Sequence, residues 1–466
     1  MRLYNSLTKK TEEFKPLKAG KVGLYTCGPT VYDQAHIGNL RSYVFADILL
    51  RALLVNDYKT KWVMNITDVE DKTIEKSQSS SLGQDPQKAL KEYTRKYEAI
   101  FWKDLKNLNV NLPDKRPRAT ETIKEMQKLI VRILKRGYAY PKDGAIYFDV
   151  KKYSENHPYG QLVNIDPKEL KAGTRSNADE YEKEDVQDFV LWKNKKEGEP
   201  FWNFKIKGRN FPGRPGWHIE CSAMAHKYLP VPFDIHTGGV DLKFPHHENE
   251  IAQSVIGYQA AGLASFFVHN DHVLIDGQRM GKRFKNFYTL ADLEKKGFAA
   301  MDLRYFFLIA HYRSKLNFTW EALEAARNGL RRLNDLVRAL SKVKPNRKSE
   351  NFKIHRQQFL DIVNQDLDTP QALAFMWKTI GNKSITPAEK KALLFEFDKV
   401  FGFELARVKP LKIPVEIVQL AEQREEARRS QNWQEADKIR RQIEQAGYSV
   451  LDNEEGFLIR QRSKTD

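Results

Sequence analysis

A chain of 466 residues is long enough for a large buried core and, at about 150 residues per domain, for two to four domains. Hydrophobic residues at 41% and a mean hydropathy of -0.63, with no apolar run of spanning length, exclude a helical membrane protein, and two cysteines exclude a disulfide framework. The 78 Lys and Arg against 61 Asp and Glu leave +17, a balance that suits nucleic acid or a phosphorylated substrate, with plain solubility as the competing account.

The start, MRLYNSLTKKTEEF, has no apolar stretch after its charges and does not read as a secretory signal, so a cytoplasmic location is expected. KVGLYTCG then predicts a strand ending at a glycine turn, RSYVFADILLRALL a helix, and TKWVMNIT a second strand: a βαβ unit. Helical sequence follows to about Gly137, with Ile123, Met126, Ile130, Ile133 and Leu134 on one stripe. From about Tyr138 to Lys207 the chain is charged and irregular apart from a strand at AIYFDV, and reads as an insertion. Alternation resumes at GRPGWHIECSAMAHKYL and runs through FDIHTGG, PHHENE and FFVHNDHVLID, as the second half of the same parallel sheet. After about Ala299 the pattern is helical. Leu323, Ala326, Leu330, Leu333, Val337 and Leu340 form a stripe that leaves Arg331, Arg332 and Arg338 largely outside it, and an amphipathic helix pair closes the chain.

Three stretches bear chemistry. CGPTVYDQAHIGNLR joins the first strand to the first helix, where a Rossmann-like sheet places its ligand crevice. There Gly38 removes a side chain, Asn39 is a good helix N-cap, and His36 and Arg41 add donors, a pattern that suits nucleotide phosphates better than a plain turn. DGQRMGKRFKN puts Arg279, Lys282, Arg283 and Lys285 on a loop hinged at Gly277 and Gly281, able to close over a triphosphate, although a solvated basic turn has the same composition. PHHENE reads either as a polar helix start or, with His246 and Glu250 four apart on one face, as half of a metal site. The isolated Cys27 and Cys221 ordinarily read as inert core thiols.

HIGN and RMGKR stand where class I aminoacyl-tRNA synthetases carry their two signatures. Together with LYTCGPTVYDQAHIGN, NITDVEDK, GRPGWHIECSAM, FDIHTGGVDLKFPHHENEIAQS and ADKIRRQIEQAGYSVLD, they make the chain resemble the cysteinyl-tRNA synthetase family over nearly its whole length. The resemblance implies an α/β fold: a Rossmann-like parallel-sheet catalytic domain over 1–318 with an inserted connective region at approximately 110–207, a mostly α-helical bundle over 319–405, and a small C-terminal anticodon-binding domain over 406–466. It implies one zinc ion per chain on Cys27, Cys221, His246 and Glu250; His247 shares a stripe with Phe244, Ile251 and Val255 and reads as half-buried support rather than a ligand. Zinc favours the soft thiolate of cysteine over a serine hydroxyl, a choice that an apolar pocket makes poorly. Thr67, Trp217 and His236 are implied around the substrate. His36, Gly38, Asn39 and Arg279 are implied at ATP, with Lys282 at the transition state and pyrophosphate.

The implied reaction is activation of L-cysteine by ATP with Mg2+ and transfer of the cysteinyl group to the 3′ end of tRNA(Cys), by a monomer. The second signature of the family reads KMSKS, so RMGKR keeps both positive charges and loses both serines, and Asn39 replaces a histidine of the first signature. The alternatives are a cysteine:amino-sugar ligase, a catalytically silent tRNA-binding paralogue, and a zinc hydrolase with Glu248 as base.

Overall fold

The computed structural model describes residues 1–80, 85–163, 175–176, 188–281, 286–411, 413–453 and 456–461. Its centre is a sheet of four parallel strands, in spatial order Ala264–Asn270, Phe233–Gly239, Lys21–Thr26 and Lys59–Met64. The first of these strands in the chain therefore lies beside the third. The chain winds outward from that point in both directions, and a crevice opens at the carboxyl ends of Lys21–Thr26 and Phe233–Gly239. Val22, Leu24, Tyr25, Phe233 and Ile235 are all buried, as both faces of a helix-covered parallel sheet require.

Helix Ile37–Val55 connects the first two strands and is apolar almost all round, with Val44, Phe45, Ile48, Leu49 and Leu53 buried. It also buries a charge. Asp47 lies 2.6 Å from the Arg304 guanidinium and 2.7 Å from that of Arg51, while its other oxygen accepts from the Asn111 amides at 2.9 and 2.7 Å. Arg304 gives its remaining donors to the carbonyls of Phe401 and Leu108. Burial pushes the Asp47 carboxyl up, yet the two guanidinium groups hold it below its ordinary range. Asp47→Asn leaves Arg304 charged and buried without its hydrogen-bonded carboxylate, so it is expected to cost about 3 to 5 kcal/mol, read from urea unfolding at neutral pH.

The inserted region is more ordered than its composition predicts. Gly213–Pro215, Asp188–Asn194, Ala145–Phe148 and Ala139–Lys142 pair in that order into a largely antiparallel sheet, so Gly213–Pro215, expected to reopen the parallel sheet, instead belongs to this one, because Asp188–Asn194 claims its backbone. Its central strand, DFVLWKN, goes unpredicted because its charged flanks dominate the composition, while Phe189, Val190, Leu191 and Trp192 are buried on both faces.

Beyond residue 299, helices Ala300–Leu308, Trp320–Ala339, Glu350–Val363, Thr369–Gly381 and Pro387–Phe401 form a bundle. Leu323, Ala326, Leu330, Leu333 and Val337 are buried as their spacing predicts, and they share one core with Val44 and Leu49 of the first helix. The bundle is thus packed onto the sheet rather than tethered to it. Helices Val415–Arg429 and Trp433–Gln445 have a small core of their own, to which a hairpin absent from the sequence reading, Tyr448–Asn453 and Gly456–Gln461, contributes Val450 and Ile459. No helix among the described residues is long and apolar enough to cross a membrane.

Candidate active site and metal centre

The crevice holds a cavity of about 410 Å³ whose wall includes Cys27, His36, Gly38, Trp217, Gly239 and Arg279. Cys27 follows the first strand directly. Gly28, next to it, has no room for a side chain, because a Cβ would stand 1.6 Å from the Asn65 carbonyl oxygen. Its amide donates to Asn65 Oδ1 at 2.8 Å, which fixes the turn that presents Cys27.

Four polar side chains converge at Cys27, which lies in the cavity wall. Cys27 Sγ lies 3.8 Å from Cys221 Sγ and 3.7 Å from Glu250 Oε1, and Glu250 Oε1 is 3.0 Å from His246 Nε2. One ligand atom from each of Cys27, Cys221, His246 and Glu250 falls within 4.8 Å of every other, and all four residues are buried. Cys221 comes from helix Trp217–Tyr228, His246 from the turn Lys243–His247, and Glu250 from helix Glu248–Tyr258.

Their ionisation suits a dication. Burial raises the Cys221 thiol, but the Cys27 hydrogen bond and the His246 cation outweigh it and bring it down to about 6. Burial lowers His246, but Glu250 and Cys221 lift it to about 10. Burial raises Glu250, and His236 and His246 draw it down to about 2. Burial, with Cys221 and Glu250 beside it, pushes the Cys27 thiol well up. A thiolate, an imidazolium and a carboxylate give the cluster a net negative charge, a metal held by all four would displace a proton from both His246 and Cys27, and two sulfurs among four donors favour a soft ion such as zinc. His246 Nδ1 faces His218 Nδ1 at 3.0 Å, so a proton on His246 Nδ1 leaves Nε2 as a donor to a metal.

A second set, Cys27, His236, His247 and Glu250, meets the same distance limit. His236 Nε2 is 3.1 Å from Glu250 Oε2, and His247 Nε2 is 3.4 Å from Cys27 Sγ. His247 is therefore closer to the chemistry than its sequence stripe predicts. The stripe assumes one regular helix that includes Phe244, whereas Phe244 is extended (φ -141°, ψ 134°) and kinks the chain there, and His247 is fully buried beside Cys27. Its Nδ1 meets His269 Nε2 at 2.8 Å, and His269 Nδ1 meets Ser6 Oγ at 2.8 Å.

Trp217 opens its helix and stacks on His246, with ring centroids 4.2 Å apart. Thr67 is buried and donates to Glu220 Oε2 at 3.0 Å. Glu248, the candidate base of a hydrolase, is instead turned away to structural duty: it is buried, its carboxylate accepts the amides of Gly160 and Leu162, and burial raises it to about 7 against those bonds.

On the phosphate side, the N-cap of the first helix is His36, not Asn39. The Asn39 amide donates to His36 Nδ1 at 3.1 Å and Asn39 Oδ1 accepts the His36 amide at 3.3 Å, a capping box with its two residues in unfamiliar roles. Because Nδ1 is an acceptor, the neutral ring carries its proton on Nε2. A Cβ at Gly38 would lie 3.0 Å from the His36 ring, so glycine keeps that ring in place. Arg41 does not serve the crevice: it is buried and donates to the carbonyls of Asp271, His272, His311 and Ser314. Arg279 lies in the cavity wall, and Asn286 braces its loop by donating to the Arg279 carbonyl at 3.0 Å and accepting the Gly281 amide at 2.9 Å. Lys282, Arg283 and Lys285 lie outside the described residues.

The family model for the tRNA synthetases class I (C) catalytic domain matches residues 13–328. The cysteine–tRNA ligase of Brachyspira hyodysenteriae is 39% identical over 476 residues, spanning 97% of this chain and 98% of its own length. That of Caldicellulosiruptor saccharolyticus is 40% identical over 477 residues, spanning 98% and 99%. Among solved structures, a Mycobacterium tuberculosis methionyl-tRNA synthetase in complex with methionyl-adenylate matches with a TM-score of 0.57 at 12% identity, over 82% of this chain and 90% of that one. A ternary LeuRS-tRNA-LeuAMS complex from Agrobacterium radiobacter K84 matches at 0.60 and 11%, over 85% of each chain. These two likenesses concern the fold alone.

Proposed function

That this chain belongs to the family of cysteine–tRNA ligases is the premise from which we propose that Cys27, Cys221, His246 and Glu250 hold one zinc ion, which selects cysteine by its sulfur. The activity is that of the family, the joining of cysteine to tRNA with consumption of ATP. The observation that carries the zinc reading is the convergence of both cysteines of the chain on one buried point with a histidine and a glutamate.

The bound ion supplies a soft Lewis acid that stabilises a thiolate and gains little from a neutral hydroxyl. The chain's own residues do the rest. Trp217 covers the His246 ring and closes one side of the amino-acid pocket, while Thr67 and His236 support its floor. The attacking carboxylate of cysteine is already an anion, so activation depends on alignment with the α-phosphorus and on charge stabilisation. His36 offers its Nε2–H, and Gly38 and Asn39 form the helix end at which phosphates settle. Arg279 and Lys282 neutralise charge on the departing pyrophosphate, and Mg2+ arrives with ATP, held largely by the phosphates. The bundle that follows residue 319 and the unit over 406–466 grip the tRNA body and its anticodon.

Cysteine-dependent ATP–pyrophosphate exchange tests this directly. Exchange is expected with cysteine, at least a hundredfold weaker with serine, and abolished when a chelator removes a metal found at one equivalent per chain. Full exchange by protein shown to be metal-free would overturn the zinc reading while leaving the ligase reading in place.

A further inference from the structure

Helix Pro86–Asn107 carries a feature that the chemistry of activation does not use. Tyr93, Tyr97 and Phe101 recur every four residues on one face. Phe101 belongs to the cavity wall, and from it the face leads outward to Tyr97 and then Tyr93, whose rings lie 5.0 Å apart and are both partly exposed. The Tyr93 hydroxyl donates to the Tyr32 carbonyl at 3.0 Å, and Tyr32 is itself in the cavity wall. Cations accompany two of these rings, Tyr32 and Tyr97. Lys72 and Lys76 stand 5.8 and 5.3 Å from the Tyr32 centroid, and Lys96 stands 5.4 Å from that of Tyr97. Lys76 also pairs with Asp33 of the cavity wall at 3.0 Å.

Rings in series with ammonium groups between them, starting at a reaction cavity, match single-stranded nucleic acid: the rings accept any base by its flat face and the cations follow the phosphates. A duplex offers no free base faces, and a nucleotide small enough for the cavity would not extend two helical turns along a neighbouring helix. We infer that Tyr32, Tyr93 and Tyr97, with Lys72, Lys76 and Lys96, bind the unpaired 3′ nucleotides of tRNA and lead them to the cavity. The inference rests on the ligase reading of that cavity. The hairpin made by helices Asp71–Ser80 and Pro86–Asn107 is held against the inserted sheet, by Lys193 to Asp71 at 2.7 Å and by Gln87 Nε2 to the Phe201 carbonyl at 2.8 Å, so the platform is a fixed wall of the entrance.

The test uses Tyr97→Leu and, as a surface change without consequence for folding, Lys72→Gln. Three readouts are compared with the parent protein: cysteine-dependent exchange without tRNA, KM for tRNA(Cys) in charging, and affinity for intact tRNA(Cys) against the same tRNA lacking its unpaired 3′ nucleotides. Exchange is expected to stay unchanged while KM rises about tenfold for each variant. The affinity advantage of intact over truncated tRNA is expected to shrink by the same factor. If that advantage is unchanged, or if exchange falls in step with charging, the platform serves the fold or the adenylate and the inference is overturned. Parent protein without any exchange would instead strike at the ligase premise.

Discussion

Cys221→Ser is expected to leave the protein folded but without its metal, and to lower cysteine-dependent exchange by about a hundredfold or more. Serine fills nearly the same space, and Cys221 is buried in helix Trp217–Tyr228, so packing survives. The hydroxyl replaces a thiol that already ionises at about 6 within the cluster, and it can give neither the charge nor the soft donor that zinc prefers. Elemental analysis reads the metal and exchange reads the activity. The substitution also separates the two overlapping donor sets. Cys27 and Glu250 are common to both, whereas Cys221 and His246 belong to one and His236 and His247 to the other. If zinc sits on the first set, Cys221→Ser loses the ion and His236→Asn keeps it. A Cys221→Ser protein that retains one zinc per chain would move the ion to the histidine side and remove the stated basis for thiol selection.

The frame of this centre is legible in the sequence because its signals are local, whereas the set of four residues follows only from the family resemblance, since Cys27 and Cys221 by themselves read as core thiols. Strand-like runs that end at glycine, at KVGLYTCG and FDIHTGG, mark both strands whose ends frame the crevice, and the spacing of His246 and Glu250 brings them within 3.0 Å of each other. What depends on partners distant in the chain is hidden. Arg41 follows the helix start so closely that it reads as a phosphate donor, yet four carbonyls between residues 271 and 314 claim its guanidinium. The exchange of roles between His36 and Asn39 escapes notice because asparagine is the commoner cap, and only coordinates show that the helix begins at Ile37. His247, expected half-buried, is fully buried beside Cys27 because the extended backbone at Phe244 interrupts the assumed stripe, and DFVLWKN is masked by its charged surroundings. Asp47 is hidden for the same reason: nothing near it in sequence announces that Arg304 will reach it.

His36→Asn is expected to lower exchange about a hundredfold with no loss of thermal stability. The two halves of that expectation come from the two nitrogens of one ring. Nδ1 accepts the Asn39 amide and so starts helix Ile37–Val55, a task that asparagine performs at least as well. Nε2 carries the proton of a ring that belongs to the cavity wall, where on the proposed reading negative charge grows as pyrophosphate leaves, and removal of one such donor costs about a hundredfold to a thousandfold. Asparagine is too short to reach the same point once its oxygen is committed to the cap. His36→Ala loses both functions and is expected to be less stable by about 1 kcal/mol as well. Thermal melting and single-turnover adenylate formation, measured on both variants, separate the roles. If His36→Asn activates cysteine at the parent rate, the imidazole is a cap and nothing more, and charge stabilisation must come from Arg279 and its loop. If it fails in melting as well as in exchange, the asparagine has not taken up the cap, and the stability of the helix start, rather than the missing N–H, sets the rate.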